Sequence, residues 1–458
     1  MNLMVIGGGG REHAIILKLL ENPAVQTIYA LPGNAGIARD AECIPIAATA
    51  LDDIVSFARA HRVDFAVVAP DDPLCMGLAD RLEEIGVPTF GPSKAAARIE
   101  GSKSFAKNMM KRYGIPTASY EIFDDAHSAL AYARVCPLPI VVKADGLALG
   151  KGVVIANTRE QAQSAIRDMM IDGRFGQAGA RIVIEEYLKG PEASLLLFTD
   201  GESYRLMPAA MDHKRALDGD NGENTGGMGA IAPNPFVTAE LSRRIESDII
   251  KPTLDAMRAE GCPFKGCMFI GLMLTEQGPK VIEYNCRFGD PEAQTVLPLL
   301  KSDLLSIMTA VRNGALADAD VRFSSGAACC VVLASEGYPG AYKKGVPIYG
   351  YEKYVEAGAA QAAGRNPASF GAAGQRHALS DVRAYFAGVA KGGNGELVTS
   401  GGRVLGVTAA ADTLENAIAS AYAAVVDIQF EGRQMRTDIG ARALCGAESS
   451  YNAGEANG

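Results

Sequence analysis

Two hard oxygen donors and a cation follow one another at strand spacing in the stretch PKVIEYNCRFGDPE. Glu283, Asn285 and Arg287 alternate with residues such as Ile282 and Tyr284. Successive side chains of a strand point to opposite faces, so this spacing puts the carboxylate, the amide and the guanidinium on one face. A carboxylate and an amide oxygen suit Mg²⁺ that also binds nucleotide phosphates, and the guanidinium suits a carboxylate or phosphate. A half-exposed strand with its polar residues outward is the alternative interpretation.

A glycine-rich turn between two apolar runs holds two more cations. VVKADGLALGKGV places Lys143 at the end of the first run and Lys151 in the turn, between Gly150 and Gly152. The turn is not a Walker A loop, because Gly146 and Gly150 are one residue too close, and a glycine and a strand replace the hydroxyl and helix. A flexible flap over a triphosphate is favoured, with Lys143 held against the phosphates. A solvated hairpin is the alternative.

The stretch VIGGGGREHA places four glycines between the first apolar run and a helical segment. A nicotinamide fingerprint needs a third spaced glycine, and an acidic residue about 20 positions later. Glu12 replaces that glycine, and the second apolar run ends without an acid. The N–H groups of Gly9 and Gly10 at a helix N-terminus, beside Arg11, instead suit a phosphate monoester. A tight turn without a ligand is the alternative.

A third glycine-rich segment, NTGGMGA at 224–230, follows DHKR at 212–215. It could be a long surface loop, but loops this rich in glycine inside a compact domain more often line a site. The five histidines include none at metal-ligand spacing, and a lone histidine is more often a structural hydrogen-bonder than a catalyst.

The composition of the whole chain limits its class. At 458 residues it fits about three domains, and its net charge of -9 argues against a nucleic-acid partner. Nine scattered cysteines indicate a reducing compartment. The start lacks a signal peptide, and no apolar run approaches the roughly 18 residues that span a bilayer. We therefore expect a cytoplasmic protein without a membrane partner.

Strands and helices alternate along the first hundred residues, including a helix expected near Gly77–Ile85. This pattern predicts a doubly wound parallel sheet, whose ligands bind at the carboxyl ends of the strands. Three connections fall there: Gly7–Gly10, Leu31–Gly36 and Pro70–Pro73. The middle third has paired apolar runs, including a hairpin that turns at Gln277–Pro279, and is predicted to be α+β.

Several motifs, in chain order from Met1 to about Leu444, carry a family resemblance. They are GGGGREHA, PGNAG, EGSKSFAK, VVKADGLALGKGV, DHKR, NTGGMGA, VIEYNCRFGDPE, GYPGAY, GGRVLGV and DIGARAL. Together they resemble the glycinamide ribonucleotide synthetase family of ATP-grasp ligases. The resemblance implies a multidomain α/β and α+β protein with an ATP-grasp fold, an N-terminal doubly wound domain and a small C-terminal domain.

The implied domains are 1–102, an ATP-grasp domain 103–324 with a mobile lid at about 121–192, and a C-terminal domain 325–446. A tail, 447–458, is expected to be disordered. The implied reaction joins glycine to 5-phosphoribosylamine through glycyl phosphate and converts ATP to ADP and phosphate. We expect a monomer or a weak homo-oligomer.

The resemblance also implies roles for residues at matching positions. ATP would be bound by Lys103, Lys143, Gly150, Lys151, Gly152, Glu185, Glu186, Leu188 and Glu192. Glu283 and Asn285 would bind Mg²⁺ or Mn²⁺. The other substrates would contact Gly9, Gly10, Arg11, Asn34, Asp212, His213, Lys214, Asn224, Gly226, Gly227 and Arg287. Lys143, Asp212 and Arg287 would be the catalytic residues.

Some alternatives stay open at the level of sequence. The proton acceptor could be Asp212, His213, Asp290, Glu292 or the departing phosphate. MFIGLML lacks the carboxylate that would bind a second metal ion. Another ATP-grasp ligase or carboxylase, or a nucleotide-binding regulatory protein, would share the ATP motifs. A nicotinamide dehydrogenase is disfavoured by Glu12.

Overall fold

The first hundred residues form an open parallel sheet. The computed structural model describes residues 1–148, 152–355 and 382–445. The strands of the first sheet pair in the order β3-β2-β1-β4-β5, all parallel. They are β1 (Asn2–Gly7), β2 (Thr27–Pro32), β3 (Glu42–Cys43), β4 (Phe65–Val68) and β5 (Thr89–Phe90). The apolar run Leu3–Ile6 is fully buried, as expected for a central parallel strand. The predicted doubly wound domain is confirmed.

Helices connect these strands and begin close to the predicted positions. They are α1 (Gly10–Leu19), α2 (Leu51–Ala60), α3 (Asp71–Met76), α4 (Leu78–Glu84) and α5 (Lys94–Gly101). The prediction of one helix near Gly77–Ile85 was incomplete, because a further helix occupies Asp71–Met76. Gly77 separates the two with a φ of +94°, a left-handed conformation that ends the first helix.

The middle of the chain begins with α6 (Lys103–Tyr113) and a four-stranded antiparallel sheet. The sheet has the order β6-β9-β7-β8 and carries two helices. Its elements are β6 (Tyr120–Phe123), α7 (Ala126–Val135), β7 (Ile140–Ala144), β8 (Val153–Ala156), α8 (Arg159–Met170) and β9 (Ile182–Glu186). Small residues such as Ala129, Ala133 and Ala162 dominate a separate core beneath this sheet. This region therefore folds around its own core.

A second antiparallel sheet, of order β11-β10-β16-β17, shares a core with the first hundred residues. Its strands are β10 (Glu192–Thr199), β11 (Tyr204–Leu206), β16 (Gly266–Thr275) and β17 (Gly278–Asn285). The predicted hairpin of β16 and β17 is confirmed, with a bulge that sets Val281 and Ile282 opposite Leu272. Helices α9 (Ala239–Ile245) and α10 (Lys251–Ala259) are joined by a π-helical turn.

The third sheet draws strands from two distant parts of the chain. Its order is β12-β15-β18-β22-β19, and β23 pairs with β18. The strands are β12 (Met211–Asp212), β15 (Gly229–Ala232), β18 (Ala327–Ser335), β19 (Val382–Phe386), β22 (Arg403–Ala411) and β23 (Arg433–Gln434). Two short strands from the middle of the chain thus extend the C-terminal sheet. Residues 213–228, which connect them, are held beside it.

The remaining elements complete these layers. They are the hairpins β13 (Arg215–Leu217) with β14 (Asn221–Asn224) and β20 (Val389–Lys391) with β21 (Leu397–Thr399), and the helices α11 (Ala293–Leu299), α12 (Leu304–Asn313), α13 (Leu414–Val425) and α14 (Ala441–Leu444). None of the helices in the described ranges is long and apolar enough to cross a membrane.

Candidate functional site

Lys143 stands at the end of β7 and is buried among polar groups. Its Nζ lies 3.0 Å from Glu185 Oε2. It also donates to the carbonyl oxygen of Ile282, 3.1 Å away on β17. Lys107 Nζ lies 3.0 Å from the same Glu185 oxygen. These contacts join α6, β7, β9 and β17, and we call Lys107, Glu185 and Lys143 the buried triad.

Lys103 occupies the first turn of α6, just after Ser102 caps the helix. Its Nζ donates to the carbonyl oxygen of Gly146 at 3.1 Å. Burial lowers the pKa of Lys103, while the nearby Glu283 carboxylate opposes that shift. Asp145 accepts from the backbone N–H of Ser104 at 2.6 Å and so fixes the start of the glycine-rich turn. Gly152 is packed against Ala144 and Ala148, whereas Gly150 and Lys151 lie outside the described residues.

Strand β9 and the residues just after it carry several of the predicted ATP contacts. Glu185 is buried, and its Oε1 has no hydrogen-bond partner among the residues that the structure describes. Glu186 is exposed and accepts from the N–H of Ser119 at 3.1 Å. Leu188 is half-buried just beyond the strand. Glu192, at the start of β10, pairs with Lys214 at 2.9 Å.

Glu283 and Asn285 lie half-buried on one face of β17, while Tyr284 between them is buried. Asn285 uses its nitrogen to donate to the Tyr284 carbonyl, and its oxygen accepts a long hydrogen bond of 3.5 Å from Arg287 Nη1. The pKa of Glu283 is lowered, because the Lys214 and Lys143 charges outweigh its burial. An ionised carboxylate and an amide oxygen fit a divalent metal ion that completes its shell with phosphate and water.

Arg287 is already held by two carboxylates. Its Nη2 lies 2.7 Å from Glu100 Oε1 and 3.6 Å from Asp71 Oδ2. Glu100 also accepts from the N–H of Cys286 at 2.7 Å. These charges raise the pKa of Arg287 despite its burial. Its Nε has no partner within the described ranges, so one donor remains for a ligand.

The glycine-rich N-terminus of α1 is capped by the side chain of Glu12, a residue of the helix's own first turn. Glu12 accepts from the N–H of Gly9 at 2.6 Å and from Arg11 Nε at 2.6 Å. A methyl group on Gly10 would lie 2.6 Å from Gln294 Nε2, so the helix start is packed against α11. Glu12 thereby caps the helix at the position where a nicotinamide fingerprint has its third glycine.

Asn34 and His213 both form hydrogen bonds with backbone groups. Asn34 donates to the carbonyls of Gly8 and Phe386 at 2.9 and 3.1 Å. Buried His213 contacts Gly229 O through Nδ1, and its Nε2 accepts from the N–H of Gly440. Burial lowers the pKa of His213 to about 4, so its ring is neutral at pH 7. These hydrogen bonds hold both residues to the backbone, and their contact with substrate stays a prediction.

Three segments distant in sequence meet at Arg403, the first residue of β22. Its Nη1 donates to Gly226 O at 2.5 Å and to Asp290 O at 2.7 Å, and its Nη2 pairs with Asp290 Oδ2 at 3.2 Å. Gly227 has a φ of +107°, and a methyl group there would lie 2.5 Å from Asp212 Oδ1. We call Gly226, Gly227, Asp290 and Arg403 the junction; Asn224 lies at the end of β14 just before it.

Two carboxyl groups lie beside the junction. Asp212 Oδ1 is buried without a hydrogen-bond partner in the described part of the chain, and burial together with the charge of Glu292 raises the pKa of Asp212. Glu292 accepts from Ser194 Oγ at 3.0 Å, and burial raises its pKa as well. Lys214 faces Asp212, Glu192 and Glu283, and these carboxylates raise its pKa. Asp212 and Glu292 together therefore hold a proton to a higher pH than isolated carboxyl groups do.

Sequence reasoning missed Lys107, Glu100 and Arg403 as members of this site. Lys107 follows Lys103 by one helical turn, a spacing that places both on one side of α6. Glu100 stands in the quoted motif EGSKSFAK, but no local pattern indicated that it pairs with Arg287, which lies far along the chain. Arg403 stands in the quoted motif GGRVLGV, where a charged residue opening an apolar strand was a usable signal.

The fold and the site together define an ATP-grasp protein, with lysines on one antiparallel sheet and a Glu-x-Asn strand at the edge of the next. The same fold occurs in the biotin carboxylase domain of the Hydrogenobacter thermophilus 2-oxoglutarate carboxylase. That structure covers 95% of this chain and 91% of its own, with a TM-score of 0.68 and 17% identity. At this identity the likeness concerns the fold alone.

Closer relatives define the family. Models of the N, ATP-grasp (A) and C domains of phosphoribosylglycinamide synthetase match residues 1–100, 101–293 and 328–442. The phosphoribosylamine–glycine ligase of Rhizobium meliloti is 46% identical over 97% of this chain and 99% of its own. The crystal structure of the Thermotoga maritima ligase matches with a TM-score of 0.77 and 31% identity, over 96% of this chain and 100% of its own. The chain belongs to the phosphoribosylglycinamide synthetase family.

Proposed function

We infer that the protein is an ATP-dependent ligase that joins glycine to 5-phosphoribosylamine and releases glycinamide ribonucleotide, ADP and phosphate. Full-length similarity to phosphoribosylamine–glycine ligases supports this reaction. The observation that carries the inference is the position of β17. Glu283 on this strand lies 3.9 Å from Lys214, and Lys143 donates to the carbonyl oxygen of Ile282. One strand therefore contacts both the lysines of the proposed ATP site and the residues proposed to bind the other substrates.

The first step activates the glycine carboxylate. One carboxylate oxygen attacks the γ-phosphorus of ATP in line, forms glycyl phosphate and displaces ADP. Lys103 and Lys143 would neutralise the phosphate charge, and Arg287 would orient the attacking carboxylate through its remaining donor. Glu185, Glu186 and Leu188 would contact the base, and Glu192 the ribose.

Glu283 and Asn285 would hold Mg²⁺ or Mn²⁺, with the ionised carboxylate and the amide oxygen as ligands. When bound, the ion supplies charge neutralisation to the transferring phosphoryl group. Lys214, which lies within 4 Å of Glu283, keeps that carboxylate ionised before the ion binds.

The second step forms the amide. The 1-amino group of phosphoribosylamine attacks the acyl carbonyl, and the C–O bond to phosphate breaks. The 5-phosphate would be bound by Gly9, Gly10 and Arg11. This requires that Glu12 release the N–H of Gly9 and the Nε of Arg11, from which it accepts hydrogen bonds. Asp212, paired with Glu292 and close to Gly227, is our choice to take the proton that the amine loses.

Acyl phosphate hydrolyses on contact with water, so closure of the site should precede phosphoryl transfer. We propose that the region at about 121–192 is the lid, because most of it folds around a separate core and would move as a unit over the ATP site.

The test is ADP release with Mg²⁺, ATP, freshly generated phosphoribosylamine and a panel of amino acids and other carboxylates. We expect release only when glycine and phosphoribosylamine are both present. Release driven by bicarbonate or another carboxylate would keep the ATP-grasp chemistry and overturn the substrate assignment. Binding of ATP without any turnover would instead indicate a regulatory protein.

A further inference from the structure

Lys107 is a buried cation in the interior of α6. Its side chain is 2% exposed, and Nζ lies 3.0 Å from Glu185 Oε2 and 2.8 Å from Thr117 Oγ1. Thr117 in turn donates to the carbonyl oxygen of Val281 on β17. Lys107 therefore links the strand that carries Glu185 with the strand that carries the metal-ligand candidates.

The arrangement of charge in the buried triad is uneven. Lys107 and Lys143 share a single oxygen, Glu185 Oε2, while Oε1 of the same carboxylate is buried and has no hydrogen-bond partner among the described residues. Two cations around one carboxylate leave a net positive charge in the buried triad. A buried carboxylate binds whichever cation is nearest, so removal of Lys107 would leave Lys143 as its main counter-ion.

We propose that Lys107 is a positioning residue that neutralises Glu185, so that Lys143 remains available to the ATP phosphates and Oε1 remains available to a donor on the bound nucleotide. The proposal rests on the proposed function, because it concerns the ATP site of the same reaction. Lys107 itself touches neither substrate nor reacting atoms; it acts through Glu185 and Lys143.

The charge on Lys107 is sensitive to pH. Burial lowers the pKa of Lys107 to about 8, against the opposing attraction of Glu185. The lysine is charged below that pH and loses its proton as the pH rises through it. The groups that face it from the surrounding elements are Glu185 and Glu186 on β9, Lys143 on β7 and Tyr120 on β6.

The first experiment compares Lys107→Met with Lys111→Met in the full-length protein. Lys111 lies one turn further along α6, over the same Tyr120 ring at 5.8 Å, and its side chain is exposed. Calorimetry measures the dissociation constant of Mg²⁺-ATP, and turnover is measured at saturating ATP. We expect Lys107→Met to weaken ATP binding about tenfold or more, because Lys143 would lose its charge-assisted interaction with the ATP phosphates. Lys111→Met should change ATP binding less than about twofold.

The second experiment is a double-mutant cycle with Glu185→Gln. Removing the carboxylate's charge removes the reason for Lys143 to be drawn away from the phosphates. The cost of Lys107→Met in ATP affinity should therefore fall to about twofold or less when it is combined with Glu185→Gln. Equal costs with and without Glu185→Gln would show that Lys107 acts by packing and would overturn the proposal.

The third experiment has its decisive arm in the wild-type protein, so that arm does not depend on whether a variant folds. In the wild-type protein, ATP affinity should fall between pH 7 and pH 9, whereas in Lys107→Met it should be constant at the weakened level. A flat wild-type profile would overturn the proposal. Wild-type protein that binds ATP but does not ligate glycine would overturn the proposed function and leave these binding experiments decisive for Lys107.

Discussion

The two sides of the site are built in different ways. The buried triad uses side chains of adjacent elements, with Lys107 and Lys143 both 3.0 Å from one Glu185 oxygen. The junction is held mainly through backbone groups, because Arg403 donates to the carbonyls of Gly226 and Asp290 across 177 and 113 residues of chain. Side-chain charge therefore prepares the ATP side, whereas long-range tertiary contacts shape the side proposed for phosphoribosylamine.

The largest effect should come from Glu283, which lies between the two sides. Glu283→Gln keeps the shape of the side chain but removes the charge proposed to bind the metal ion. We expect kcat/KM to fall about 1,000-fold, a loss of several kcal/mol of transition-state stabilisation. Glu276→Gln, at the exposed hairpin turn of the same two strands, is the control. Near-normal Mg²⁺-dependent turnover of Glu283→Gln would contradict the metal assignment.

Arg403→Ala separates the two sides most cleanly. It leaves Asp290 without its ion-pair partner and releases the Gly226 carbonyl. We expect kcat/KM for phosphoribosylamine to fall about 100-fold, the cost of a broken buried charge pair, with unchanged ATP affinity. Arg383→Ala, on the neighbouring strand β19, is the matched control. Equal weakening of ATP and phosphoribosylamine would show that the two sides are one cooperative unit.

Gly227→Ala tests the backbone side of the comparison alone. The residue has a φ of +107°, and an added methyl group would lie 2.5 Å from Asp212 Oδ1 and from Pro291 Cδ. Strain of about 1–2 kcal/mol should move the loop and reduce ligation about tenfold. Gly219→Ala, at a φ of +67° in the adjacent hairpin, carries similar strain away from the junction. If both variants lose the same activity, general strain and not loop position is the cause.

His213 should affect stability rather than activity. Its pKa is lowered from 6.5 to about 4, so between these pH values His213 is protonated in the unfolded chain and neutral in the folded chain. The stabilisation is present above pH 6.5 and is lost as the pH falls toward 4, by roughly 3 kcal/mol in total. Urea unfolding at pH 7 and pH 5 should show this loss in the wild type and a smaller one in His213→Gln. His127→Gln, an exposed control, should keep the wild-type pH dependence, and a wild type without this dependence would contradict the assignment.

The sequence predicted the fold well wherever the signal was local. Alternating apolar runs predicted the parallel sheet, and the β16–β17 hairpin followed from its turn and its strand pattern. The short helix Asp71–Met76 was missed, because its boundary depends on the backbone conformation of Gly77. Residue types suggested Lys143, Glu283 and Asn285, since their chemistry is carried by the side chain itself.

The rest of the site depends on contacts that no local pattern contains. Asn34 and His213 were predicted as ligand contacts, and their hydrogen bonds to backbone groups of distant segments became visible only in the structure. Arg403 appeared only as part of a motif, because its partners are carbonyl groups whose positions the tertiary fold decides. Glu12 looked like a departure from a nicotinamide motif, and its role as a helix cap became visible only in the structure.

Activation of the glycine carboxylate as an acyl phosphate is the step on which the proposed function depends. The direct measurement is a single turnover with glycine labelled by ¹⁸O in both carboxylate oxygens, followed by mass spectrometry of the released phosphate. We expect one ¹⁸O atom in each phosphate, because the attacking oxygen leaves with phosphorus when the amine displaces it. Unlabelled phosphate, or label in AMP, would contradict glycyl phosphate as the intermediate.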